Sequence, residues 1–262
     1  ITKALERLAR EKRTGEEQSV GSFVREREKP LFLNRITLHP STKVDSRVVI
    51  YHDPTSPIAE EYRCLRTNLK SLMPQNPPKV FLVSSSTQGE GKTFTAINLA
   101  FSLAEDVNKN VLLLDGDLRK GRVGEYLGLE ENVAGLTEIL TQEIDIQDGL
   151  LKIGSEKLTV IPKGKTSEHP AELLGSRKME ELLEILKWHF DYVVLDSSPI
   201  LPTTDARILS SKVDGVLMVV RMAQTPKGMI AHAESLFKQL DTKVLGYILP
   251  HCDPSLLSYR SS

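Results

Sequence analysis

Residues 84–100 read SSSTQGEGKTFTAINLA, and the apolar run KVFLV stands directly before them. This stretch constrains the fold more than any other. A short buried strand, a loop with two glycines and a helix opening on Lys-Thr form the context in which a phosphate loop works. The pattern G-x-x-x-x-G-K-[ST] maps onto Ser86–Thr93, with Ser86 in place of the first glycine and Gly89 as a second flexible point. Glycines let backbone N–H groups approach phosphate closely, and the helix N-terminus adds partial positive charge. The candidate nucleotide-binding residues are Gly89, Glu90, Gly91, Lys92, Thr93 and Phe94. Lys92 is placed to meet the β/γ-phosphates and the Thr93 hydroxyl to hold Mg²⁺. An accidental GxGK in a turn is the competing reading, and the flanking strand and helix argue against it.

Beyond Lys79 strand-like and helix-like runs alternate: KVFLVS, VLLLD, LTVIP, YVVLD, DGVLMVVR and KVLGYIL, with helical stretches between them. These strands are apolar throughout, as expected when both sheet faces are covered. The expected class is α/β, a P-loop NTPase with a mostly parallel sheet, helices on both faces and an N-terminal arm. One helix is expected over 170–188, with Leu173, Leu174, Leu182, Leu183 and Leu186 at core spacing.

The 262 residues suffice for one large domain with an appendage. Residues 1–50 are expected to form an arm with a short amphipathic helix (Ile1, Leu5 and Leu8 share a face), 51–253 the P-loop domain and 254–262 a mobile tail. The opening Ile1 is what a sequence trimmed at its front would show. A net charge of −1 provides no global field for nucleic acid or an anionic membrane. No apolar run reaches the ~18 residues of a membrane span. Cys64 and Cys252 imply no disulfide framework, so a cytosolic setting is the default expectation.

Two further strand ends carry acids. VLLLDGDLR ends in Asp115 and Asp117, and YVVLDSSP in Asp196. In an open parallel sheet ligands sit at that edge, so these carboxylates can hold metal or accept a proton. The plainer readings are a surface pair between Asp117 and Arg119, and a helix N-cap at Asp196 or Ser197.

With these motifs in place, the chain resembles the bacterial tyrosine kinases, P-loop enzymes that regulate capsular and extracellular polysaccharide assembly. Ser86–Thr93 is similar to their Walker A motif, Leu112–Arg119 to A′ and Val193–Asp196 to B. Glu60, Arg63 and Arg66 fit the family's ExxRxxR motif, and HPAELLGS resembles its NPxELLxS segment with His169 in place of Asn. The resemblance covers about residues 51–253. It implies ATP and Mg²⁺ as cofactors, Lys92, Asp115, Asp117 and Asp196 as the catalytic set, and Thr93, Asp115 and Asp196 as metal ligands. It also implies a ring-type homo-oligomer through Glu60, Arg63 and Arg66. The implied partner is a membrane-embedded polysaccharide co-polymerase or activator, with no nucleic acid, at the inner face of the cell membrane. The family usually ends in a tyrosine cluster, whereas HCDPSLLSYRSS offers only Tyr259 as phosphoacceptor. The alternative is a MinD/ParA-type ATPase switch without kinase activity. That family has a signature Lys where this chain has Thr87.

Overall fold

The structure, a computed structural model, describes Ile36, residues 38–39, 43–72, 79–131, 133–153 and 158–250. The chain divides into Ile1–Arg35 and Ile36–Ser262, and every described residue belongs to the second unit. The expected N-terminal helix and the tail with Tyr259 lie outside the described residues. Within the segment expected as an arm, Val44, Val48 and Ile50 are buried in the core.

The strands are β1 (Leu38–His39), β2 (Val80–Ser85), β3 (Val111–Asp115), β4 (Leu151–Ile153), β5 (Leu158–Ile161), β6 (Tyr192–Asp196), β7 (Gly215–Val219) and β8 (Val244–Ile248). They form one sheet in the order β1-β4-β5-β3-β6-β2-β7-β8. Every pairing is parallel except β4 against β5. The two strands not expected from sequence, β1 and β4, are two and three residues long. Runs so short carry no readable period.

The helices that position the site are α1 (Val49–His52), α2 (Pro57–Ser71), α3 (Lys92–Ala104), α4 (Val123–Tyr126), α5 (Leu136–Thr141), α6 (Pro170–Gly175), α7 (Arg177–His189), α8 (Asp205–Ser210) and α9 (Lys227–Gln239). Successive strand residues point to opposite faces. Phe81, Val83, Val111, Leu113 and Val194 share a core with α3. Their neighbours Leu82, Leu112, Leu114, Val193 and Leu195 are also buried, on the face that receives α7 and α8. Each such side chain contributes about 1.5–3 kcal/mol by leaving water. Asn98 of α3, buried among these apolar groups, is fully used. Its amide donates to the carbonyls of Arg47 (3.0 Å) and Phe94 (2.9 Å) and accepts from Ile50 N–H (3.2 Å).

The single helix expected over 170–188 is two. Ser176 adopts φ −67°, ψ 155°, ending α6 and capping α7, where its Oγ accepts from Met179 N–H at 3.3 Å. A serine favours such a cap over a helix interior, since its hydroxyl competes for nearby backbone groups.

Candidate active site

The phosphate loop leaves β2 at Ser86 and enters α3 at Lys92. Gly89 and Gly91 have φ of 85° and 95°, the left-handed region that side chains resist. Among the described residues, the N–H groups of Gln88, Gly89, Glu90 and Gly91 have no acceptor. The first N–H groups of α3 lack intrahelical partners as at any helix start. A run of unpaired donors at a helix N-terminus suits a polyphosphate. Lys92 is buried, Thr93 half-buried, and Ser86 Oγ is buried without a partner.

Two of the predicted residues have their side chains engaged within the protein. Glu90 turns inward, 3% exposed, and one carboxylate oxygen accepts from Thr87 N–H at 2.8 Å. The other accepts from the Thr225 hydroxyl. The Phe94 ring stacks on Tyr126 at 4.2 Å and lies under the Arg47 guanidinium at 4.0 Å. Any part these two play toward a nucleotide therefore falls to their backbone.

The acids at the ends of β3 and β6 are register partners, Asp115 opposite Asp196. Gly116 N–H donates to Asp196 O at 2.8 Å, and a Cβ at Gly116 would lie 2.8 Å from that same oxygen, so the backbone crossing requires glycine. Asp115 is 1% exposed and fully used. One oxygen accepts from Asp117 N–H (3.2 Å) and the other from Val123 N–H (3.0 Å). Burial, with the charges of Asp196 and Asp117 adding to it, holds its pKa well above the usual carboxylate range.

Asp196 is equally buried, yet neither of its oxygens has a hydrogen-bond partner. Burial raises its pKa to about 6. The Lys92 ammonium and the nearby Thr93 hydroxyl, which lies outside hydrogen-bonding geometry, pull it down. Asp196 caps no helix, and Ser197 Oγ donates to the carbonyls of Val83 (3.0 Å) and Ser198 (3.1 Å). Asp117 is half-buried and accepts from the N–H groups of Arg119 (3.2 Å) and Lys120 (2.9 Å). The competing surface pair between the Asp117 and Arg119 side chains does not form, because that guanidinium clasps the buried Asp205 at 2.7 and 3.2 Å.

The donor set fits a small hard cation. No group of three or more His, Cys, Asp or Glu side chains could hold a metal among the described residues. Mg²⁺ does not need one. It takes one or two carboxylates together with substrate phosphates and water, and a buried carboxylate with two open oxygens beside a threonine hydroxyl supplies the protein's share.

Glu60, Arg63 and Arg66 lie elsewhere, on α2 against the far end of α3. Arg63 donates to both Glu105 oxygens (2.9 and 2.7 Å), to Glu60 (3.2 Å) and to Pro54 O (2.7 Å). Arg66 donates to Ser102 O (2.5 Å) and to Glu105 (3.0 Å). Within one chain these arginines clamp the C-terminal end of the helix whose N-terminus carries Lys92. Sequence reasoning did not find Asp205, Thr225 or Glu105. Each is an unremarkable residue whose part depends on a partner many positions away.

The family profile described as "AAA domain" matches residues 78–243. Tyrosine-protein kinase YwqD of Bacillus subtilis is 34% identical over 208 residues, covering 79% of this chain and 87% of YwqD. The kinase domain of Escherichia coli tyrosine kinase ETK superposes with a TM-score of 0.73 at 25% identity, covering 82% of this chain and 84% of that one. The cell division ATPase MinD of Pyrococcus furiosus reaches 0.57 at 24% identity over 65% of this chain and 71% of its own, a likeness of fold alone.

Proposed function

The chain belongs to the bacterial tyrosine-protein kinases, P-loop proteins with an AAA-type domain, and from that premise we propose that it transfers the γ-phosphoryl group of ATP to tyrosine hydroxyls, its own among them. The observation that carries this reading is the pair of open oxygens on buried Asp196, one strand from a loop of unpaired amides.

Phosphoryl transfer proceeds through a loose transition state, so positioning and charge neutralisation carry most of the catalysis. The amides of Gln88–Gly91 and the start of α3 bind the phosphates, and Lys92 offsets charge on the β/γ-oxygens. Thr93 and Asp196 would hold Mg²⁺, which would supply charge neutralisation on the phosphates. Asp115, with both oxygens engaged by backbone, shapes the turn that presents Asp117 and serves the cation at most through water. Asp117 accepts the phenol proton. A tyrosine hydroxyl with a pKa of about 10 tolerates so weak a base when the proton leaves late.

The wider setting is part of the same proposal. No described helix is long and apolar enough to cross a membrane. The kinase works at the inner face of the membrane through a membrane-embedded activator of polysaccharide assembly, self-associates through Glu60, Arg63 and Arg66, and uses Tyr259 as phosphoacceptor. A MinD/ParA-type switch is disfavoured by Thr87 in place of that family's lysine and by the lower structural likeness.

Mass spectrometry after incubation with ATP and Mg²⁺ tests the reading. Phosphotyrosine is expected with wild type and none with Lys92→Met, whose nucleotide affinity falls at least about tenfold, or ~1.4 kcal/mol. Phosphate release without phosphotyrosine would establish the switch instead.

A further inference from the structure

Glu90 is flanked by the two left-handed glycines of the phosphate loop, Gly89 and Gly91. A loop with two permissive points needs something to fix it, because each glycine lowers the cost of the wrong shape. The side chain between them is the one that is anchored. Its buried carboxylate is satisfied by Thr87 N–H inside the loop and by the Thr225 hydroxyl outside it. Such partners offset much of the cost of burying a carboxylate.

The outside partner comes from the segment that follows β7. Since β7 lies beside β2 in parallel, both strands deliver their following loops to the same edge of the sheet. This segment is itself closely built. The N–H groups of Gln224 and Thr225 both donate to Arg221 O, at 3.2 and 3.0 Å, and Ala223 sits at φ 60°. A non-glycine residue held there costs on the order of 1 kcal/mol or more and persists only where its surroundings demand it. The fold of the segment delivers two contacts to the phosphate loop, Thr225 to Glu90 and Arg221 Nη1 to Gly89 O at 3.4 Å. Beyond β8, Pro250 leaves little room beside Gly91, where an added Cβ would lie 3.3 Å from its Cγ.

We propose that Arg221–Pro226 is a positioning element of the kinase and that Thr225 is its latch. Through Glu90, Thr225 fixes the shape in which the loop amides face the phosphates, without touching the nucleotide itself. This rests on the assignment of Ser86–Thr93 to nucleotide binding.

The test is ATP-dependent phosphotransfer by the full chain with Thr225→Val and Thr225→Ser. Valine keeps the shape and removes the hydroxyl, whereas serine keeps the hydroxyl and removes the methyl. The latch predicts that valine raises the KM for ATP about tenfold, equivalent to ~1.4 kcal/mol, and that serine stays within about twofold of wild type. The kcat of both should change much less than the KM of the valine variant. A packing role predicts the reverse order and would overturn the proposal, as would an unchanged KM in Thr225→Val. Should the valine protein fail to fold, Thr225→Ala carries the same expectation against serine. Lys92→Met in a parallel ATP-binding titration separates the two readings. Undiminished ATP binding by that variant removes the nucleotide site itself, whereas loss there without a valine effect removes the latch alone.

Discussion

Two strand ends stand side by side in this sheet and look alike in sequence, VLLLD closing β3 and YVVLD closing β6. Their acids are register partners and equally buried. Asp115 has both oxygens occupied by backbone amides, whereas Asp196 has neither occupied. The difference follows from what comes next in the chain. After Asp115 the backbone turns back over the carboxylate through Asp117–Val123, so close that a Cβ on Gly121 would lie 2.3 Å from Asp115 Oδ1. After Asp196 the chain runs on through Ser197 and Ser198, whose hydroxyls bond elsewhere. Equal position and equal burial thus give one carboxylate that organises a turn and one held open at the cost of its own desolvation.

The sharpest attempt to break that contrast is Asp196→Asn. Phosphotransfer should fall on the order of a thousandfold, or ~4 kcal/mol in the barrier, while the nucleotide-free protein melts no lower than wild type. A variant that melts well below wild type yet keeps its turnover would show Asp196 to be the structural member. The opposite profile is expected of Asp115→Ala. Stranding one buried and one part-buried N–H group should cost about 2–4 kcal/mol by urea unfolding, and wild-type stability there would erase the distinction.

A smaller, pH-dependent effect sharpens it. Burial raises Asp196 from 3.8 to about 6, so the folded state binds more protons than the unfolded chain between those values. Stability should therefore be fullest at the acid end, fall as pH rises from 3.8 through about 6 and level off above. In EDTA without nucleotide, urea curves of wild type and Asp196→Asn should differ least near pH 4 and most near pH 7. A gap that is constant with pH would mean the carboxylate is not strained.

The smallest effect concerns the clamp at the far end of α3. The Arg63 and Arg66 side chains are 24% and 16% exposed and their partner Glu105 30%. Solvent screens such pairs, so the double alanine variant should lose only about 1 kcal/mol of stability. Light scattering on the same variant asks whether these arginines also join subunits, which requires a smaller species than wild type forms.

The phosphate loop, the α/β class and the position of both acids were legible because each depends on neighbours a few residues away. GEGKT needs only its own strand and helix, and an apolar pentamer ending in Asp places that Asp at a sheet edge. What stayed hidden was occupancy. Nothing in VLLLDGDLR announces that Val123 N–H returns to Asp115, nor in GEGKT that Glu90 will meet Thr225, since these contacts form only once the sheet is assembled. The expected helix over 170–188 missed its break for a related reason, as Leu spacing reads continuously across Ser176 while the cap is a local choice.

The place of β2 between β6 and β7 also governs when the protein becomes itself during synthesis. VFLVSS emerges early, but the strands that flank it begin at Tyr192 and Gly215, more than a hundred residues later. At ~5–20 residues per second a ribosome needs on the order of ten seconds to supply them. For that interval the nascent chain carries an apolar strand with no partner on either edge, and ATP cannot assist because its loop has no frame. Slower translation through residues 100–215 should lengthen that interval, and with it the exposure of the strand to chaperone capture or strand-to-strand aggregation.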